Sequence, residues 1–210
     1  MRTLAVLFCF LLGYNSISAQ WLKRYTKESP TEFVHRLYPD WKGAILDMHP
    51  VIEYSWGDPS QGKKILFFLP GEKGQKGMVQ AIVLVPESNK HYRQVDIPKI
   101  LFSGTSPQEK ILTVFFEDVD GNGDKELLFI KGGTVKDYKT IVADDGTAWE
   151  NAPYHYKVYQ TFIYRQRKKE GHYINAFEKM DWPYLMTRLE GLQTAGEVRK
   201  VLKKVRLESR

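Results

Sequence analysis

From residue 51 onward, hydrophobic and polar residues alternate in short runs. The runs are rich in β-branched and aromatic residues, and clusters of Gly, Pro, Asp and Asn separate them, which is the pattern of β-strands. Strands are predicted over residues 51–56, 65–69, 81–85, 92–97, 111–117, 126–131, 138–143, 154–165 and 172–177. Short strands in close succession, without helices between them, favour an antiparallel sheet, sandwich or partial barrel over a βαβ fold.

Both ends of the chain show the pattern of helices. Ser29 and Thr194 are each followed three residues later by a glutamate, Glu32 or Glu197, and this spacing is the capping box that begins many helices. A turn or short helix is also predicted over residues 183–189, because a proline at its start suits the first helical turn. The apolar residues at 198, 201, 202 and 205 recur at intervals of three and four and so lie on one face, opposite lysines and arginines.

These elements predict a single β-rich domain over residues 20–210. The expected fold class is α+β, mostly β: an antiparallel sheet, sandwich or partial barrel with an N-terminal helix and a C-terminal helix packed on it. A chain of this length has a core large enough to fold unaided. Cys9, the only cysteine, precedes this domain, so disulfides do not contribute to it.

The first 19 residues have the order of a removable signal peptide. Arg2 provides a positive start, residues 4–12 form an apolar run, and the small residue Ala19 stands before Gln20 at an acceptable cleavage site. The apolar run is too short for a bilayer core, which requires about 20 residues. We therefore expect an exported protein, periplasmic or extracellular, with no transmembrane segment in its mature form. An N-terminal core helix and a lipoprotein modified at Cys9 are the alternatives.

Positive charge exceeds negative charge, because 31 Lys and Arg against 25 Asp and Glu give a formal net charge of +6. The excess is concentrated in two segments, residues 165–169 (RQRKK) and 199–206 (RKVLKKVR). Such runs usually form solvated faces, and the alternative is attraction to an acidic polymer such as an envelope polysaccharide. We expect no nucleic-acid partner, because the chain has no recognisable nucleic-acid-binding motif and is predicted to be exported.

Residues 118–126 (DVDGNGDKE) have the spacing of a calcium-binding loop. Side-chain oxygens of Asp118, Asp120 and Asn122, at positions 1, 3 and 5, can face one centre, and a glycine at position 6 permits a sharp bend. The main-chain carbonyl of Asp124 and the carboxylate of Glu126 complete the expected ligand set. Oxygen ligands favour calcium over zinc or copper. The alternative is a hairpin turn that binds no metal, since Asp, Asn and Gly all favour turns.

The flanking residues distinguish this loop from a helical EF-hand. Phe129 occupies position 12, where an EF-hand has a bidentate glutamate, and both flanking segments are predicted strands. The loop resembles the DxDxDG-type loops between strands of integrin-type propeller repeats, the FG-GAP repeats. This resemblance implies that Asp118, Asp120, Asn122 and Glu126 bind calcium. Asn at the fifth position and Glu at the ninth depart from the usual aspartates, and a single loop does not support a multi-bladed propeller.

The sequence contains no recognised catalytic motif, since the GxSxG, HExxH and P-loop patterns are absent. We therefore expect a calcium-stabilised, β-rich protein for binding or envelope structure, with a polysaccharide or an extracellular protein as its partner. The alternative is a small secreted hydrolase, for example of glycans. Its catalytic carboxylates would be drawn from loop residues such as Glu117, Asp144, Asp145 and Glu150, which the fold would have to bring together.

Four aromatic residues predict a second kind of site. Alternation along the predicted strand places Tyr154 and Tyr156 on one face. Together with Trp149 and Trp182 they predict a surface on which sugar rings stack. The alternative is ordinary packing of these side chains against the sheet, which is the commoner role of buried aromatic residues.

Overall fold

The computed structural model describes residues 22–43, 49–70, 78–88, 90–98, 100–101, 110–142, 146 and 148–208. The predicted signal peptide, residues 1–19, lies outside the described residues. Three α-helices have both ends within these residues: α1 (Pro30–Leu37), α2 (Pro183–Leu189) and α3 (Ala195–Glu208). The strands are β1 (Leu22–Lys23), β2 (Ile52–Tyr54), β3 (Lys64–Pro70), β4 (Met78–Ser88), β5 (His91–Asp96), β6 (Ile100–Leu101), β7 (Lys110–Glu117), β8 (Glu126–Val142), β9 (Ala148–Lys169) and β10 (His172–Lys179).

The strands form two antiparallel sheets. The first sheet has six strands in the order β1-β5-β4-β3-β2, and β6 pairs with β4. The second sheet has four strands in the order β10-β9-β8-β7. Every neighbouring pair is antiparallel. The predicted fold class, mostly β with antiparallel sheets, is therefore confirmed.

The two sheets pack face to face through a hydrophobic core. Leu66 and Phe68 of β3 belong to the same buried cluster as Leu127 and Phe129 of β8. Side chains alternate between the two faces of a strand, so the residues between them point outward, and these are also buried. Residues 65–69 (ILFFL) and 127–130 (LLFI) are continuously apolar in the sequence because both faces of their strands are covered.

Helices cover the outer face of each sheet. Phe33 and Val34 of α1 pack with Ile65 and Phe67 of the first sheet. On the other side, α2 and α3 pack against the second sheet, and the residues in this buried cluster include Phe115, Leu128, Ile130, Ile163, Leu185, Leu189, Val198 and Leu202. The layers therefore follow the order helix, sheet, sheet, helix. This arrangement confirms the sandwich with an N-terminal and a C-terminal helix packed on it.

Both predicted capping boxes are present. At the start of α1, the Ser29 N–H donates to Glu32 Oε2 at 2.7 Å and the Glu32 N–H donates to Ser29 Oγ at 3.2 Å. At the start of α3, the Thr194 N–H donates to Glu197 Oε2 at 2.9 Å and the Glu197 N–H donates to Thr194 Oγ1 at 3.2 Å. The carboxylates also lie near the positive ends of the helix dipoles.

One strand prediction was wrong. The sequence predicts separate strands over residues 126–131 and 138–143, but β8 runs without a break from Glu126 to Val142. Gly132 and Gly133 pair with Tyr159 and Val158 of β9 instead of forming a turn. A Cβ at Gly132 would lie 2.6 Å from Leu112 Cδ1. The glycine at position 132 therefore makes room for a neighbouring side chain, a role that glycine has within strands.

Lys64, the first residue of β3, is a fully buried cation. Its Nζ donates to the carbonyl oxygens of Trp56 at 2.6 Å and Asp58 at 3.1 Å. Burial lowers the pKa of Lys64 to about 8, although attraction to Asp58 partly opposes this shift. The bonds from Lys64 hold residues 56–58 against the first sheet, and Gly57 of this segment also contacts the loop of residues 118–126, here called the candidate metal loop.

We expect the buried lysine to make stability depend on pH. Because the pKa of Lys64 is lower in the folded protein than in the unfolded chain, the unfolded chain binds more protons between about pH 8 and pH 10.5. The free energy of unfolding should therefore rise with pH, and the Lys64 contribution between pH 8 and pH 10 is about 2 kcal/mol. Urea unfolding of the wild type and Lys64→Met at both pH values isolates this contribution. Parallel pH profiles for the two proteins would contradict it.

Candidate metal centre

The candidate metal loop joins β7 and β8 as a hairpin. Glu117 and Glu126 form the last strand pair before the loop, so residues 118–125 make the connection. Gly121 and Gly123 have φ angles of 77° and 91°, which side chains other than glycine disfavour. The flanking elements are strands, as the sequence predicts, and Phe129 lies in the core between the sheets. The local fold is therefore a β-hairpin and not a helical EF-hand.

Three carboxylates converge at the base of this loop. One ligand oxygen from each of Asp118, Asp120 and Glu126 lies within 4.8 Å of the others. Calcium binds oxygen at about 2.3–2.6 Å, so two oxygens on opposite sides of the ion are about 5 Å apart. The spacing of the three oxygens is thus compatible with a shared divalent ion.

Glu126 is the buried member of this group. It is only 2% exposed, and its Oε2 accepts a hydrogen bond from the Val119 N–H at 2.7 Å. Burial raises the pKa of Glu126 to about 7, and repulsion from Asp120 and Asp118 adds to this effect, while the hydrogen bond from Val119 opposes it. An ionised carboxylate in this position is costly unless a cation compensates it.

Backbone donors surround Asp118. Its Oδ1 accepts hydrogen bonds from the N–H groups of Gly121 at 2.7 Å and Asn122 at 3.1 Å, and its Oδ2 accepts from Gly123 at 3.1 Å. These bonds fold the loop around the first carboxylate. A metal-free hairpin turn would use the same bonds, so they explain the shape of the loop without identifying an ion.

The side chains of the other two predicted ligand residues, Asn122 and Asp124, already make hydrogen bonds or ion pairs. Asn122 Nδ2 donates to Asp120 Oδ2 at 2.9 Å, and Asn122 Oδ1 accepts from the Asp124 N–H at 2.7 Å. The Asp124 carboxylate lies 2.8 Å from Lys168 Nζ and does not belong to the group of three carboxylates. The ligand predicted from Asp124 is its carbonyl, which remains a prediction, as does coordination by Asn122.

Contacts from distant parts of the chain anchor the loop, and no sequence pattern predicts them. The Gly57 N–H donates to the Lys125 carbonyl at 3.1 Å, which ties the end of the loop to the segment held by Lys64. Lys125 Nζ also donates to the Tyr54 hydroxyl at 2.8 Å.

Glu117, just before the loop, forms ion pairs with Arg199 and Arg206 of α3 at 3.1 and 3.2 Å. The loop therefore contacts the first sheet through Tyr54 of β2, and the residue just before the loop is tied to the C-terminal helix.

The four predicted sugar-stacking residues lie in two different elements. Tyr156 is an exposed residue of β9, and Trp182 is an exposed residue immediately before α2. The backbones of Trp149 and Tyr154 lie in β9, and their side chains are outside the described residues. Tyr156 has the strand parity of Phe162, which faces the core between the sheets, whereas α2 covers the opposite face. The sugar-stacking surface stays a prediction.

The described residues contain no second group of three acidic, histidine or cysteine side chains placed to share an ion. Of the carboxylates considered for hydrolysis, Glu117 is engaged by two arginines. Asp144 and Asp145 lie outside the described residues, as does the side chain of Glu150. Among the described helices, none combines the length and apolar character needed to cross a membrane.

Comparison with known proteins finds no match to this chain among family models, curated proteins or solved structures.

Proposed function

We propose that this protein is exported and that a calcium ion in the loop of residues 118–126 stabilises a β-rich module for binding or envelope structure. The convergence of Asp118, Asp120 and Glu126 within 4.8 Å carries the proposal. The predicted signal peptide supports export. A polysaccharide or an extracellular protein is the partner class that export and the positive net charge favour.

The electrostatics of the loop supports a structural role for the ion. Without a cation, the buried Glu126 carboxylate faces repulsion from Asp120 and Asp118. A divalent ion removes this cost and joins the beginning of β8 to the loop that precedes it. Oxygen ligands suit calcium, and an extracellular module typically binds it with a dissociation constant on the order of 0.1 to 1 mM.

We expect calcium to raise the melting temperature. At ten times its dissociation constant, an ion adds about 1.4 kcal/mol to the free energy of unfolding, which corresponds to about 3–6 °C for a chain of this size. Asp120→Ala removes one of the three converging carboxylates and should abolish the shift. The measurement is thermal unfolding in chelator and in 10 mM calcium.

Asp181→Ala is the matched control, because Asp181 is exposed and lies outside the carboxylate group. This variant should keep the full response to calcium. A wild type without any shift at several millimolar calcium, or a shift that persists in Asp120→Ala, would contradict the proposed site.

A further inference from the structure

A cleft of about 390 Å³ lies between the candidate metal loop and the hairpin formed by β9 and β10. Its volume is within the range of sites for small ligands, about 300–1,000 Å³. Loop residues Asn122, Asp124 and Glu126 line one side. The other side includes the first basic segment of the sequence, whose residues in the cleft are Arg165, Gln166, Arg167 and Lys168. This segment therefore lines a concave site and is not simply a solvated face.

Cations outnumber carboxylates in the cleft. Its four cationic side chains are Lys125, Arg165, Arg167 and Lys168, and its three carboxylates are Asp124, Glu126 and Glu178. Glu178 is shared by two arginines, since Oε1 contacts Arg165 Nε at 2.5 Å and Oε2 lies 3.4 Å from Arg167 Nε. A guanidinium has five N–H donors, so one shared carboxylate leaves most of these donors available.

The two arginines are accessible, and the neighbouring lysine is held in place. The side chains of Arg165 and Arg167 are 46% and 54% exposed. Lys168 is fixed between Asp124, at 2.8 Å, and the ring of Tyr173, whose centroid is 4.5 Å from Nζ. Lys168 thus keeps a positive charge at the wall of the cleft, while Arg165 and Arg167 are exposed enough to exchange part of their contact with Glu178 for a ligand.

We infer that this cleft binds an oxyanion, namely the carboxylate, sulfate or phosphate group of a small acidic ligand. Guanidinium groups form paired hydrogen bonds with planar or tetrahedral oxyanions, and this geometry gives both strength and specificity. The ligand competes with Glu178 for the two arginines. Oxyanion binding in this cleft depends neither on export of the protein nor on a metal ion in the loop.

The second basic segment has a different arrangement. Arg199 and Arg206 of α3 are both paired with Glu117. Lys200 and Lys203 are exposed on the same helix, and neither lines the cleft. Removing these two lysines changes the net charge by the same amount as removing two cleft arginines, so they provide a matched control.

The test is a nuclear magnetic resonance titration of the full chain, stripped of divalent ions. The probes are sodium phosphate, sodium sulfate and sodium glucuronate, against sodium chloride at equal ionic strength. We expect saturable shifts of the backbone amides of residues 165–168, with a dissociation constant on the order of 1 mM. The ranking of the three probes identifies the preferred group. No saturable shift beyond that of chloride, for any probe, would overturn the inference.

Three variants separate a built site from general attraction to positive charge. Arg165→Gln with Arg167→Gln should weaken binding at least tenfold, whereas Lys200→Gln with Lys203→Gln should leave it unchanged. Glu178→Gln removes the competing carboxylate and should tighten binding severalfold. Equal weakening in both double variants would overturn the inference. Because divalent ions are removed from the protein before the titration, this result is independent of whether calcium binds the loop.

Discussion

Replacing Phe129 by alanine is expected to lower the free energy of unfolding by about 3–5 kcal/mol. Phe129 is fully buried at the centre of the core between the sheets. Its ring stacks on Phe162, at 5.1 Å between centroids, and on Tyr164, at 5.6 Å, and it meets the edge of Phe68 at 5.9 Å. The substitution removes a contact that joins the two sheets and leaves a cavity that surrounding rings fill only in part.

Urea unfolding of the wild type and Phe129→Ala measures this loss directly. Leu207→Ala is the control, because Leu207 is a large apolar residue that is 65% exposed. A substitution at such a position usually changes stability by no more than about 0.5 kcal/mol. A loss below about 1 kcal/mol for Phe129→Ala would mean that the sheets do not depend on this aromatic contact.

Much of the fold could be predicted from the sequence because helix starts and strands are each encoded by residues close together in the chain. Both capping boxes lie within four residues, and the alternation of a strand is read from its own sequence. The order of strands in the two sheets and the placement of helices on opposite outer faces depend on contacts between distant segments. Strands of two residues, such as β1 and β6, are too short to show any periodicity.

The prediction of one break within β8 failed for a related reason. Two consecutive glycines and the polar residues after them usually mark a turn. Here β9 pairs with β8 on both sides of the two glycines, from Leu127 to Val142, and Leu112 from β7 occupies the space beside Gly132. Both facts depend on neighbouring strands, so residues 132–137 alone do not reveal them.

The candidate metal loop was predictable because its carboxylates lie within nine residues of one another. The side chains that position this loop could not be predicted, because they come from distant parts of the chain. Lys168 is 44 positions from Asp124, and Tyr54 is 71 positions from Lys125. Loop spacing also gives no information on burial, which distinguishes Glu126 from the more exposed Asp118 and Asp120. That difference in burial leads to a second prediction of large effect.

Glu126→Gln is expected to stabilise the metal-free protein and to abolish its response to calcium. The pKa of Glu126 is raised to about 7 in the folded protein, whereas an unperturbed glutamate has the model value of 4.5. The folded protein therefore binds more protons than the unfolded chain between these values, and the free energy of unfolding falls as pH rises from about 4.5 to about 7. Above this window the cost reaches up to about 3 kcal/mol. Glutamine keeps an acceptor for the Val119 N–H without the charge.

Glu126→Gln should gain stability without metal and lose the stabilisation that calcium gives. Measurements in chelator and in calcium separate these two effects. In chelator, Glu126→Gln should exceed the wild type in stability at pH 8, with a much smaller difference at pH 5, where the wild-type carboxyl is protonated. In calcium at pH 8, the wild type should gain stability and the variant should not. Glu190→Gln, at an exposed position, should match the wild type throughout. If Glu126→Gln retained the calcium response, Glu126 would not be a ligand. If it were no more stable than the wild type in chelator at pH 8, the buried carboxylate would not be the destabilising charge that an ion relieves.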